Sequence, residues 1–414
     1  MIVVVAGTRP EHIKLAPVIR ELRAAGRHVR YVWTGQHSDA ALAADVFAAT
    51  GGPQPDVSLR WPGVRAGRGR PPKIDREHRP GLVWANAGGA AALIRPHIAE
   101  ASLVVVQGDT ASALAGAFAA IRYGVRLAHL EAGLRSHDWT MPEEHVRVEI
   151  DAVADLLLTP SVACSATCRI ERAGLVARTG SLGRAGQVET VGQTGIDSLV
   201  LAASSDEQQG GEIAARRADL FGPDRAIALV TLHRAALADD PPLLRHTMRG
   251  ILAACADRGL RVVWALHPRV AGDARHAKTS DDVIDAGGRT VDPIDYRVLA
   301  GMLLLPRLGD RMAVLTDSGG LAEDAAFAGV PTVILRPSTE RQELLSMRNS
   351  RTAIVAPSIA SETVRAGISA GIKELRVDYC GARNEIDCPF LPPIGPTASR
   401  LAARKLAVFA DAKG

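Results

Sequence analysis

Long apolar runs are missing from this chain. Nowhere do about eighteen or more apolar residues follow one another, which argues against a membrane-spanning helix. The first strand-like run, residues 2–5, is not preceded by the basic segment and apolar stretch of a secretion leader, so none is expected. Cysteine is sparse, with five in 414 residues. The odd count does not suit a disulfide framework, and the Cys164/Cys168 spacing is not that of a paired zinc ligand set. Free thiols in a reducing cytoplasm are the expectation. An excess of one charge is missing too: the net charge of +4 is too small to point to nucleic acid. Lysine is scarce beside Ala, Arg and Gly, a pattern of GC-rich coding rather than of chemistry.

What remains is an ordinary folded composition, 47% hydrophobic and 23% charged, in a chain too long for a single core. Short β-branched runs at residues 2–6, 29–34, 103–107, 126–130 and 155–159 alternate with helical patterns, and so do runs at 226–231, 261–266, 312–316 and 330–335. Between the first two runs, Ile13, Ala16, Ile19 and Leu22 fall on one helical face that ends at Gly26. Further helical patterns lie at 242–258, 296–305 and 321–328. This rhythm predicts α/β architecture with parallel sheets, in two Rossmann-like doubly wound domains. The expected division is residues 1–198, 199–385 and a C-terminal segment, 386–414, whose helix packs back on the N-terminal domain. Residues 60–80 break the rhythm with six arginines and Lys73, and they read either as a solvated excursion or as a basic lid.

Four groups of residues carry possible chemistry. Gly7-Thr8-Arg9-Pro10-Glu11 follows the first strand and opens a helix, a place where free backbone N–H groups meet anions, with Arg9 and Lys14 as added cations. Asp109 and Glu131 follow successive strands, whose carboxyl ends face the ligand crevice in such sheets, and the following loop brings in Glu143 with Arg147 close behind. Singly, Asp109 or Glu143 is a helix-cap candidate; three acids in succession suit proton transfer. His233 and His267 each follow a strand of the second half, as proton shuttles, phosphate contacts or structural groups; neither has a second ligand at i+4, so no metal is expected. Ser318-Gly319-Gly320 forms a tight turn suited to a diphosphate, with Asp324 on the following helix and Arg341 after the next strand.

In order, GTRPE, GQH (Gly35 to His37), GDT, H-x-EAGLRS, PEE-x-x-R, T-x-HR, TDSGG and TER resemble the non-hydrolysing UDP-N-acetylglucosamine 2-epimerase family over residues 1 to about 356. The resemblance implies a glycosyltransferase-B-like pair of domains with the active site in the cleft between them. It implies cofactor-free interconversion of UDP-GlcNAc and UDP-ManNAc, by anti elimination of UDP to 2-acetamidoglucal and re-addition. It assigns acid–base work to Asp109, Glu131, Glu143 and His233. Arg9, Lys14, His267, Ser318, Gly319, Gly320 and Arg341 would hold UDP, Arg147 would lie near the sugar and Asp324 near the ribose. Related enzymes are commonly dimers, so a homodimer is expected, in the cytoplasm that the free thiols suggest. Departures are Asp324 in place of Glu, Leu232 in place of Gly, and Ala235-Ala236 in place of Glu-Asn. A hydrolysing epimerase releasing ManNAc and UDP, and a glycosyltransferase on the same fold, are the alternatives.

Overall fold

The computed structural model describes residues 1–36, 47–48, 50–60, 80–179, 186–204, 212–222, 226–304, 311–346, 352–373 and 397–412. His37 and nearly all of the basic 60–80 segment lie outside the described residues. The chain divides into two compact units: Met1–Ser198 with Pro389–Gly414, and Leu199–Cys388.

The first unit is built on seven strands: β1 (Ile2–Ala6), β2 (Val29–Trp33), β3 (Val57–Ser58), β4 (Leu103–Gln107), β5 (Leu127–Leu130), β6 (Leu156–Thr159) and β7 (Gln187–Thr190). Their order is β3-β2-β1-β4-β5-β6-β7, and every pairing is parallel. Alternation along β1 explains the layering. Val4 and Ala6 face Leu15, Val18, Ile19 and Leu22 of α1 (Arg9–Ala24), together with Ala402 and Leu406 of the C-terminal helix Ala398–Asp411. Val3 and Val5 face the other way. They meet Ile94 and Ile98 of α2 (Pro80–Ile98), Leu114 of α3 (Ala111–Arg122) and Ile150 of α4 (Pro142–Val153). A strand covered on both faces has no polar side to show, so it reads as the unbroken apolar run IVVVA. The C-terminal helix is fastened to this unit by Ser399 N–H donating to Asp197 Oδ2 (2.7 Å) and by Arg27 forking onto Asp411 (2.7 and 2.6 Å).

The second unit repeats the plan with β8 (Ala226–Thr231), β9 (Arg261–Ala265), β10 (Arg289–Val291), β11 (Arg311–Thr316), β12 (Thr332–Ile334) and β13 (Thr352–Ile354), in the order β10-β9-β8-β11-β12-β13, all parallel. Trp264 fills its centre with Leu244, Met248 and Ile251 of helix Pro241–Ala256, and with Val364 and Ile368 of helix Ser361–Lys373.

In both sheets the chain leaves the first strand in one direction and returns beyond it in the other. That reversal lies between β1 and β4 in the first unit and between β8 and β11 in the second. Loops at the carboxyl ends of strands flanking such a point diverge and leave a crevice. Among the described residues, no helix is long and apolar enough to cross a membrane.

Candidate active site

The residues singled out in the sequence gather at these two reversal points. In the first unit, β1 runs into Gly7 and Thr8. Thr8 caps α1 in a reciprocal box: Glu11 N–H donates to Thr8 Oγ1 (3.5 Å), while Glu11 Oε2 accepts from the amides of Gly7 (3.0 Å) and Thr8 (2.8 Å). Glu11 is buried, and its other oxygen accepts from Thr110 Oγ1 at 2.6 Å, so one carboxyl ties the turn after β1 to the turn after β4. Burial pushes the Glu11 carboxyl up to about 7, against the pull of these donors. Gly7 has no room for a side chain, since a Cβ there would lie 2.0 Å from Thr34 Oγ1 and 2.2 Å from Ser112 Oγ.

Glu131, at the end of β5, is the strained member of the group. It has φ 70°, and it shares the left-handed region with only one other non-glycine among the described residues, His137. For a residue with a Cβ this conformation costs roughly 1–2 kcal/mol. Its amide donates to Leu158 O (2.9 Å), and its buried carboxylate is gripped by Lys14 Nζ, Gln107 Nε2 and Gln193 Nε2, the last at 2.8 Å. These bonds hold the side chain on one heading in spite of the backbone strain. A Cβ on Gly108 would stand 3.6 Å from Glu131 Oε2, which places the Gly108-Asp109 turn directly beside this carboxylate.

Asp109 is 31% exposed at the side chain and pairs with Arg147 Nη2. Arg147 is buried and also meets Glu144, so α4 is anchored to the Asp109 turn. Glu144 is fully buried; it accepts from the amides of Ser136 and His137 and from Ser136 Oγ. Glu143 shares its helical turn but is partly exposed and has no side-chain hydrogen bond or ion pair among the described residues. The cap positions belong to other residues, Thr110 for α3 and Met141 for α4, which leaves Asp109 and Glu143 without that structural duty. Arg9 is partly exposed in the first turn of α1.

In the second unit, Asp317 follows β11, is buried, and takes four bonds from the turn after β8. The amides of His233 (3.1 and 2.9 Å) and Arg234 (2.8 Å) donate to it, and His233 Nδ1 lies 2.8 Å from Oδ1. Burial opposes the charge, but the His233 ring and these amides hold the carboxyl below its usual range. An ionised Asp317 can only accept, so His233 Nδ1 donates to it and Nε2 is the ring nitrogen that Asp317 does not engage, on a ring 33% exposed. The His267 ring lies 5.1 Å from that of His233, and its Nδ1 accepts from the Arg269 amide (3.1 Å).

Ser318 caps helix Gly319–Phe327, so the amides of Ser318, Gly319 and Gly320 cluster at a helix N-terminus beside His233. Gly319 is required by its neighbours, because a Cβ would lie 2.4 Å from Arg341 Nη1 and 2.7 Å from Glu340 Oε1. Arg341 itself is buried, bonded by Glu323 Oε1 (2.7 Å) and by Glu340, which also holds Arg336 (2.9 Å). Its guanidinium therefore lies against the glycine turn. Asp324 is partly exposed on the same helix as Glu323. Among the described residues, no group of three or more His, Cys, Asp or Glu converges as a metal site requires.

Sequence reasoning passed over His129, Asp151, Gln193 and Asp317. Asp151 lies one helical turn beyond Arg147 on a buried face of α4, where an acid demands a partner; that was the available signal.

The described geometry can be set beside known proteins. The family model for UDP-N-acetylglucosamine 2-epimerase matches residues 20–378. The UDP-2,3-diacetamido-2,3-dideoxy-D-glucuronate 2-epimerase of Pseudomonas aeruginosa is 31% identical over 376 residues, spanning 90% of this chain and 94% of that one. The UDP-N-acetylglucosamine 2-epimerase of Methanocaldococcus jannaschii is 28% identical, over 83% of this chain and 86% of its own. A crystal structure of the M. jannaschii enzyme with UDP-GlcNAc and UDP superposes with TM-score 0.73 at 25% identity, covering 98% and 99% of the two chains. Two doubly wound parallel-sheet units, acids and cations at both reversal points, and a family match over most of the length agree: the chain belongs to the UDP-N-acetylglucosamine 2-epimerase family.

Proposed function

We propose that this chain is a non-hydrolysing 2-epimerase that interconverts UDP-GlcNAc and UDP-ManNAc. The observation that carries the reading is Glu131. Its backbone is held in a strained conformation at a strand end, and its carboxylate is fixed by Lys14 and two glutamines beside Asp109. Strain retained at a crevice is a mark of a working residue.

In the reaction, a carboxylate of the Asp109, Glu131 and Glu143 group removes the C2 hydrogen as a proton. The electron pair of the C2–H bond becomes the C1=C2 bond of 2-acetamidoglucal as the C1–O bond breaks and its pair leaves on the UDP oxygen. UDP then returns to C1 while an acid delivers a proton to the opposite face of C2. Removal and return on two faces require two groups, which three acids supply. The amides of Gly319 and Gly320 and the His233 and His267 rings stabilise the departing diphosphate, with Arg9 as a further cation, while the Ser318 amide is held by Thr316 Oγ1 (2.9 Å). His233, oriented by Asp317, moves a proton at Nε2. No added cofactor is invoked.

A second reading is favoured by the 31% identity to the Pseudomonas enzyme, whose substrate carries a second acetamido group and a carboxylate on the sugar. The C2 chemistry would be the same. Proton NMR of the enzyme with each UDP-sugar in turn separates the readings. The proposal expects UDP-ManNAc to accumulate from UDP-GlcNAc to a stable equilibrium without free sugar. Accumulation of free ManNAc and UDP, or turnover of the diacetamido uronate alone, contradicts it.

A further inference from the structure

His129 lies on β5, two residues before Glu131, with no exposure to solvent. Both of its ring nitrogens face acceptors. Nδ1 is 2.6 Å from Asp151 Oδ1, and Nε2 is 2.9 Å from the carbonyl oxygen of Gly108. A carbonyl oxygen accepts and never donates, so Nε2 must carry a hydrogen. Asp151 accepts as well from the Gly133 amide (3.0 Å) and from Arg135 Nη2 (2.7 Å), and Arg135 is fixed in turn by Glu171 (2.9 and 2.6 Å). Burial works against a charge on Asp151, yet the Arg135 guanidinium beside it holds its carboxyl far below the usual carboxylate range. An ionised Asp151 also accepts only, and Nδ1 must donate to it. A neutral ring would turn a lone pair on one of these two oxygens.

We propose that His129 is a buried imidazolium that serves as a positioning residue for the two acids beside it. Its Nε2–H fixes the Gly108 carbonyl, one residue before Asp109. Through Asp151 and the Gly133 amide, its Nδ1–H fixes the turn two residues after Glu131. Gly108, Glu131 and Gly133 all have positive φ, at 70°, 70° and 86°, so these turns depend on outside bonds to keep their shape. Asp151 and Arg135 provide the counter-charge and complete the strut. The proposal rests on the reading of Asp109 and Glu131 as the proton-transfer groups; the protonation state does not.

The test uses the full chain labelled with [15N]histidine. His129→Gln identifies the resonances by their loss, since glutamine keeps the size but offers a donor to only one of the two acceptors. At the assay pH the proposal expects two similar, protonated-type 15N shifts for His129. One protonated and one unprotonated nitrogen overturns it. His129→Gln should lower kcat about a hundredfold, the scale of a misplaced acid, while KM and UDP affinity move less than about threefold. Asp151→Asn, close to isosteric, should convert the His129 spectrum to the neutral pattern and lower kcat in the same way. An unchanged kcat in both variants, with the fold intact by circular dichroism, also overturns the proposal. If the wild type never exchanges the C2 hydrogen of UDP-GlcNAc, the epimerase reading fails separately, and the spectrum alone decides the charge of His129.

Discussion

A carboxyl group pinned at three points inside a protein can be more costly charged than neutral, and Glu11 is such a group. Its folded pKa of about 7 stands above its ordinary value of 4.5. The sign follows from proton binding. Between these values the native state holds a proton that the unfolded chain has released, so the stabilisation is full below about 4.5 and is lost as pH rises through 7. Glu11→Gln keeps acceptors for Gly7 and Thr8 without the titration. Thermal unfolding from pH 4.5 to 8 should show the wild type losing ground to the variant by at most about 3 kcal/mol. Glu149, also pushed up to about 7 by burial, titrates in the same window, so the difference between the two proteins is the quantity to read. A constant difference across the range contradicts the account. At this scale the sequence showed which residue types stood at strand ends but not whom they touched. The cap reading of Asp109 and Glu143 was a fair alternative until Thr110 and Met141 took the cap positions. Arg341 was assigned to UDP by the resemblance to the family. Only the fold reveals that Glu323, eighteen positions earlier in the chain, pairs with it. His129 and Asp151, twenty-two apart, were invisible as a pair for the same reason.

The elements were legible in proportion to their burial. All nine strands inferred from apolar runs are present, with ends displaced by a residue or two. The four that escaped, Val57–Ser58, Gln187–Thr190, Arg289–Val291 and Thr352–Ile354, are the four edges of the two sheets. An edge strand has one neighbour and a wetter surface, so its sequence needs no apolar run; QVET and RTV carry no pattern to find. The junctions between elements are the sensitive points. Gly319→Ala would drive a methyl group against Arg341 and Glu340, two side chains already held by Glu323 and Arg336. The expected loss is about 1–3 kcal/mol of stability, together with weaker UDP binding as the amide cluster shifts. Gly320→Ala meets open space and serves as the control. Denaturant unfolding and UDP titration check the pair: equal behaviour of the two variants would show that the turn is not braced in this way.

Across the whole molecule the same plan is used twice. Each unit is a parallel doubly wound sheet, and in each the candidate site residues gather near the strand ends at the reversal of strand order. The acids fall in the first unit, and the histidines with the glycine turn in the second. This division was legible because each half of the chain builds its own sheet, and the reversal of strand order makes a motif after the first strand the neighbour of one after the fourth. What the sequence could not supply was the network beneath the motifs, made of pairs between distant positions. The central claim is that the C2–H bond of the sugar is broken and remade. Incubating UDP-GlcNAc with the wild type, Asp109→Asn and Glu131→Gln in deuterium oxide, and following the C2 proton by NMR, tests it most directly. Deuterium should enter C2 of both sugar nucleotides with the wild type. Each variant should slow this by about 10²- to 10⁴-fold, the usual worth of a proton-transfer group, while still binding UDP. Product formed with the C2 hydrogen retained, or exchange undiminished in both variants, would contradict the account.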